Sequence, residues 1–366
     1  MKKIKVTLGI MAALLMVLIT AAPGFSTSNA ELEERISQLE EKSGAEPGAP
    51  GKISEWVTLS GTIEIEAGFE SSDADDSDSS DISLATAELG IEATPQDWVT
   101  GFMLISWEDD DDELIVDQAH ITLGNTDDIP YYLSAGKLYV PFGVFETMMI
   151  SDPITLDIGE IVDNAVQVGM EINGFQAAAY LYNGEVDKAG DDDTISSFGF
   201  SLGYAMERNE YTLDLGVDWT SNVLESGALS KAIGDAGDLV DYVHGVAAHA
   251  MAAFGPVCLI GEYVFVTGDI EIVGGDTIKA PSAFALEAGY TFDVSCFETT
   301  LALGYQVSSD AAGILPKTKY LASVGVGITD NLGLALEYAT TEDYSAVDGG
   351  EDDDIDTLTI QLAFEF

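Results

Sequence analysis

Basic residues are scarce in this chain: 13 Lys and Arg stand against 65 Asp and Glu, for a formal charge of −52. Between residues 53 and 366 the cations reduce to Lys137, Lys188, Arg208, Lys231, Lys279, Lys317 and Lys319. That shortage argues against nucleic acid as a partner, because phosphate neutralisation needs clustered Lys and Arg. It argues equally against an anion pore ringed by cations. Histidine is rarer still. His244 and His249 are five apart, so on a strand they face opposite ways, and with His120 they make no convincing metal site. The two cysteines, Cys258 and Cys296, each follow a tight turn with one whole strand between theirs. Next-nearest strands lie about 9–10 Å apart, beyond the reach of a relaxed disulfide, so no bridge is expected. No nucleophile elbow, zinc-protease helix or phosphate loop occurs, which leaves no expectation of an enzyme, a metal or a cofactor.

Long apolar runs are missing too, with one exception. Lys2, Lys3 and Lys5 precede an apolar stretch from Leu8 to about Ala22, followed by small residues through Ser28-Asn29-Ala30. This reads as a secretory signal spanning residues 1–30, the apolar run being short for a spanning helix. No later stretch could cross a bilayer as a helix. If the mature protein is membrane-embedded it must therefore be a barrel, since only helices and closed sheets satisfy their own backbone hydrogen bonds in hydrocarbon.

What is present is a rhythm of two. Val57, Leu59, Ile63, Ile65 and Phe69 alternate with Thr58, Ser60, Thr62, Glu64 and Glu66. Tyr211, Leu213, Leu215, Val217 and Trp219 alternate with Thr212, Asp214, Gly216, Asp218 and Thr220. The last segment sets Leu358, Ile360, Leu362, Phe364 and Phe366 against Thr359, Gln361, Ala363 and Glu365. Such alternation marks strands with one apolar face. With 46% hydrophobic residues the chain is too apolar for disorder despite its charge. The charge is segregated into the gaps, as in Ser71–Asp78, Glu108–Glu113, Asp191–Asp193 and Glu351–Asp354.

About sixteen strands are expected across residues 53–366: an all-β, transmembrane, up-and-down antiparallel β-barrel. Tight turns at Thr94–Asp97, Asn173-Gly174, Glu207–Asn209, Gly255-Pro256, Asp293–Ser295 and Thr329–Asn331 alternate with long gaps around 70–81, 139–164, 183–196, 221–241, 268–281, 307–317 and 341–354. The gap at about 109–113 is short for that series. Short periplasmic turns and long outer loops place the barrel in the outer membrane of a Gram-negative bacterium. Ahead of it, Leu32, Ile36 and Leu39 give residues 31–43 a heptad fragment, either a small periplasmic coiled coil or a single short helix, and 44–52 is a Gly/Pro-rich linker.

With lipid outside and water inside, the polar faces line a lumen carrying Glu64, Glu66, Glu88, Glu92, Asp214, Asp218, Glu262 and Glu287. Residues 139–164 lack alternation yet hold Phe142, Phe145, Met148 and Met149, which need burial. Folding inward as a constriction would bury them and set Asp152, Asp157, Glu160 and Asp163 where solutes pass; an external lid is the alternative. The acidic gaps could attract divalent ions, but Asp73–Asp78 lacks the glycine and glutamate of an EF-hand, and a solvated surface, screened by salt or bridged through divalent ions to lipopolysaccharide, is the expected reading.

The stretches Pro141-Phe142-Gly143-Val144-Phe145-Glu146-Thr147 and Ser151-Asp152-Pro153-Ile154-Thr155-Leu156-Asp157-Ile158-Gly159-Glu160, preceded by a coiled-coil fragment and followed by alternating strands, resemble the LbtU-type siderophore porins. That resemblance implies passive, TonB-independent passage of a ferric siderophore, and only about twenty residues separate the expected cleavage site from the first strand, too few for a plug. An acidic mouth would repel anionic chelates, so a general cation-preferring diffusion porin is the rival reading. Assembly into homotrimers stays open.

Overall fold

The computed structural model describes residues 56–73, 77–108, 113–126, 129–186, 188–190, 194–208, 211–234, 239–274 and 277–366. The expected signal peptide, coiled-coil segment and linker lie outside the described residues.

Sixteen antiparallel strands close into one barrel. They are β1 (Val57–Ser72), β2 (Ser77–Gln96), β3 (Val99–Glu108), β4 (Leu114–Leu123), β5 (Tyr131–Tyr139), β6 (Val162–Ile172), β7 (Phe175–Tyr182), β8 (Ser197–Arg208), β9 (Tyr211–Thr220), β10 (Gly245–Phe254), β11 (Val257–Val266), β14 (Ser282–Val294), β15 (Phe297–Ser309), β16 (Thr318–Thr329), β17 (Leu332–Glu342) and β18 (Asp354–Glu365). Each pairs with the next in sequence and β18 returns to β1, with β12 (Ile270–Glu271) and β13 (Thr277–Ile278) forming a separate small hairpin in the connection after β11. The final residue completes the ring: the N–H of Phe366 donates to the carbonyl of Gly61 at 3.0 Å, and the N–H of Gly61 donates back at 2.9 Å. Closure leaves no edge strand to satisfy.

The period-two faces sort as the alternation requires. Leu202 and Leu303 stand 64% and 66% exposed on the outer wall, with Val168, Leu181, Val217 and Leu286 exposed around them. A continuous apolar band of this kind far exceeds the patches that water-soluble monomers carry. Aromatic residues mark its two rims. Trp98, Tyr131, Phe175, Phe254, Tyr290 and Phe366 sit exposed at the turn ends of their strands. At the loop ends Phe198 and Phe200 meet Trp219, and Tyr263 stacks on Phe265.

One connection differs from the sequence reading. The acidic stretch expected as a loop at 70–81 is mostly strand, because β1 and β2 stay paired up to Ser71 with Asp78 and Ser72 with Ser77. Serine hydroxyls supply local donors for the carboxylates: Ser71 Oγ donates to Asp78 Oδ1 at 3.1 Å, and Ser72 Oγ to Asp353 Oδ2 at 2.7 Å. The short gap after β3 does belong to the loop end, and the wall is low there. Pairing of β4 with β5 covers only Ala119–Leu123 and Leu133–Lys137. Above it, Lys137 Nζ caps the carbonyl of Val116 at 2.9 Å and Tyr139 Oη donates to Asp117 at 3.0 Å.

Candidate functional site

The connection from β5 to β6, residues 140–161, folds into the barrel rather than over it. It contains one short helix, α1 (Ile154–Asp157). A segment without regular structure has backbone N–H groups that must find acceptors once buried. Here the wall supplies them as carboxylates, strand by strand. Asp218 on β9 accepts from Gly143 N at 3.0 Å. Glu262 on β11 accepts from Val144 N at 2.8 Å, Phe145 N at 3.4 Å and Thr155 Oγ1 at 2.8 Å. Glu287 on β14 takes Thr147 Oγ1 at 2.6 Å and Met148 N at 2.7 Å. Glu337 on β17 takes Ile150 N at 2.6 Å and Ser151 Oγ at 2.7 Å. Gln306 and Ser323 add bonds to Ile154 N and to the carbonyl of Met148, and Lys319 Nζ reaches Ser151 Oγ at 2.9 Å.

The apolar side chains of the loop are seated as specifically as its backbone. Inward-facing glycines leave room where Cβ atoms would collide: Gly245 faces Phe142 and Val223, Gly289 takes the Met148 sulfur, and Gly304 approaches Met149. Phe142 joins Ile154, Ile158 and Ile161 in a core with Tyr180, Tyr182, Val264 and the buried face of α2 (Gly227–Gly234), contributed by Leu229 and Ile233. This core fills one side of the barrel interior at the loop end. Phe145 holds a left-handed backbone, φ 57°, unusual for a bulky residue. Its ring lies against Gly143 and Gly159, where any side chain would overlap it.

The expected site residues therefore divide. Asp152 and Asp157 are exposed on the open side of the loop, and Glu160 is half-buried beside them. Phe142 is buried and Phe145 half-buried, as scaffold. Asp163 is not in the loop at all: it lies on β6, buried, and accepts from the N–H of Gly184, so its work is to hold the connection after β7. Of the expected lumen carboxylates, Glu64, Glu66 and Glu88 are half-buried and Glu92 exposed, all at inward positions of β1 and β2. Asp214 reaches His249 Nε2 at 3.3 Å. Asp218, Glu262 and Glu287 are only 3%, 4% and 1% exposed, so the loop covers them and they present no charge to open water. Glu337, Lys319 and the glycine seats escaped the sequence reading, although Glu337 is the lone charge within Leu332–Ala339.

Opposite the loop, the charge has one sign. Gln361 donates to Glu66 at 2.9 Å, and Glu66 lies within electrostatic range of Asp152, Glu64 and Glu337. The enclosure withdraws bulk water from Asp152 and Asp157 although both side chains reach open space. Loss of hydration raises the affinity of each for a proton above the ordinary aspartate range; Lys319 pulls it down in both cases, and the neighbouring Glu337 adds to the rise at Asp152 and Asp152 to that at Asp157. Among the described residues no group of three His, Cys, Asp or Glu side chains is arranged to hold a metal ion.

The closed sixteen-stranded barrel is a fold found among outer-membrane porins. The chain superposes on the outer membrane channel DcaP of Acinetobacter baumannii with a TM-score of 0.59 and 14% identity, covering 85% of this chain and 97% of that one. An anion-selective porin from Comamonas acidovorans gives a TM-score of 0.60 and 13% identity, covering 85% and 99%. OmpF of Salmonella typhi, solved with daunomycin, gives 0.57 and 12% over 85% and 97%. At these identities the likeness is one of fold. By sequence the chain is similar to a UPF0422 protein of Coxiella burnetii, 28% identical over 321 residues, covering 84% of this chain and 69% of that protein. It is 22% identical over 319 residues to a UPF0422 protein of Legionella pneumophila strain Lens, of which it spans 59% against 79% of itself. No protein-family profile matches the chain.

Proposed function

We propose that this protein is a passive diffusion channel of a Gram-negative outer membrane, with loop 140–161 as its constriction and cations as the preferred ions. The observation that carries the reading is the seating of the loop: four wall carboxylates hold it inside a barrel whose outer face is apolar. The water path runs on the side that the apolar core leaves free, between Asp152 and Asp157 on the loop and Glu64, Glu66 and Glu88 on β1 and β2. A passage lined by carboxylates concentrates cations and excludes anions. The siderophore-porin resemblance narrows the cargo to compact iron chelates. The lining supports those with zero or positive net charge.

In planar bilayers under a potassium chloride gradient, the reversal potential should take the sign of potassium selectivity. A chloride preference overturns the reading. Liposomes loaded with the protein separate the cargo question: uptake of a labelled ferric siderophore in excess of an uncharged sugar of equal size supports the chelate reading, and equal rates support a general pore.

A further inference from the structure

The loop end contains a cavity of about 580 Å³. Three connections build it: α1 and the turn after it supply Leu156, Asp157 and Glu160, α2 supplies Lys231, and the connection between β15 and β16 supplies Gly313 and Ile314. Its size falls within the range of small-molecule sites, about 300–1,000 Å³. The cavity stays open because side chains are missing where they would fill it. A Cβ at Gly227, at the start of α2, or at Gly313 would meet nothing, and Gly313 holds φ 75°, a conformation that favours glycine.

Its lining carries charges of both signs. Lys231 and Asp157 both line the cavity, yet no ion pair within 4.0 Å joins them. Lys231 is also absent from the groups that set the proton affinity of Asp157, whose charged neighbours are Asp152 and Lys319. The two charges therefore face one cavity from separate walls. A simple cation entering it is drawn to Asp157 and repelled by Lys231. A simple anion meets the reverse. A molecule carrying both charges a few bonds apart satisfies both walls, and Leu156 and Ile314 offer it half-exposed apolar surface between them. Discrimination of this kind comes as much from what the wrong ligand leaves unpaired as from what the right one gains.

We infer that this cavity is a binding subsite for small zwitterions of the amino-acid or dipeptide class, with Lys231 taking the carboxylate and Asp157 the ammonium. Resting on the channel reading, it adds a recognition step at the mouth, where solute would be captured before the constriction.

The test is calorimetric titration of the full chain, folded in detergent micelles, with glycyl-leucine, N-acetyl-glycyl-leucine and glycyl-leucinamide. The zwitterion should bind, and each blocked peptide should bind about tenfold more weakly or worse, the loss expected for one charge-assisted contact. Lys231→Gln should erase the difference between glycyl-leucine and its amide while keeping the difference from the acetylated peptide. Asp157→Asn should do the opposite. Equal affinity for all three peptides, no measurable binding, or variants that leave the discrimination intact overturns the subsite. Binding is read without ion flow, so a protein that binds zwitterions but carries no current refutes the channel alone, and one that conducts without binding refutes the subsite alone.

Discussion

A buried carboxylate usually signals a pore group or an ion pair, and at Asp218, Glu262, Glu287 and Glu337 it signals neither. Each accepts from backbone N–H groups of an irregular segment, charge-assisted bonds that offset part of the cost of burying the acid. Removing one such acceptor strands buried donors, at about 1–3 kcal/mol. Glu287→Ala leaves Met148 N and Thr147 Oγ1 without their partner. Thermal unfolding followed by circular dichroism in micelles should show a loss of that size, and single-channel traces should become noisier as the loop loosens. Glu287→Gln, which keeps one acceptor oxygen, should lose less. At Asp152 and Asp157 the Lys319 charge offsets only part of the lost hydration. A carboxyl whose proton affinity is raised by folding contributes stability at low pH, present below its unfolded value and lost as pH rises through the higher folded one. At pH 7 both are therefore a cost. Asp152→Asn should raise the melting temperature at pH 7 and leave it unchanged well below the ordinary aspartate range. If the path selects cations as proposed, the same shift makes that selectivity fall at a higher pH on acidification than ordinary aspartates would give, and a reversal-potential series from pH 7 to pH 4 would show it.

At the scale of elements, the loop is seated by matched shapes as well as charges. Gly289→Leu drives a side chain into the position of the Met148 sulfur. Overpacking of this sort costs about 1–3 kcal/mol, and displacement of Met148 should shift the conductance while the strand content measured by circular dichroism stays constant. Deleting the loop between Gly143 and Gly159 should raise conductance strongly if it constricts the path; an unchanged value would place the path elsewhere. The strands that receive the loop were legible in the sequence because alternation is local: all sixteen appear in the expected order, and the Asn173-Gly174 turn sits with both residues at positive φ. The inward position of the loop was legible too, from apolar residues that needed cover. Its contacts were not. Whether Glu262 faces water or a backbone N–H depends on a segment more than a hundred residues away in sequence, 118 between Val144 and Glu262. Parity alone put the wall carboxylates and Glu64 in one class, and only the fold separates them. The acidic β1–β2 hairpin misled for a related reason: pairing with β18 up to Ser72 and Ile355 holds as strand a composition that would be a loop by itself.

For the whole molecule the arrangement is an inversion of a soluble barrel, apolar outside and carboxylate-bearing within, with part of the interior filled by a core around the loop. Such a surface has no stable form in water alone. Purified protein should stay monodisperse in detergent and aggregate on its removal, and a soluble compact monomer without detergent would contradict the membrane reading. The chain's negative charge also predicts how selectivity depends on salt. Asp152 and Asp157 are exposed on the open side of the loop, so mobile ions can screen them. The screening length falls from about 10 Å at 0.1 M to about 3 Å at 1 M. On the proposed path, the fields of the loop and of β1 and β2 would overlap at low salt and exclude anions, whereas at high salt each charge would act only over its own surroundings. The permeability ratio of potassium to chloride should therefore fall steeply between 0.1 M and 1 M, and Asp152→Asn combined with Asp157→Asn should flatten that dependence. Should the ratio stay constant across the series in the unaltered chain, selectivity would have to come from a narrow dehydrating filter, and the exposed carboxylates of the loop would have no part in it.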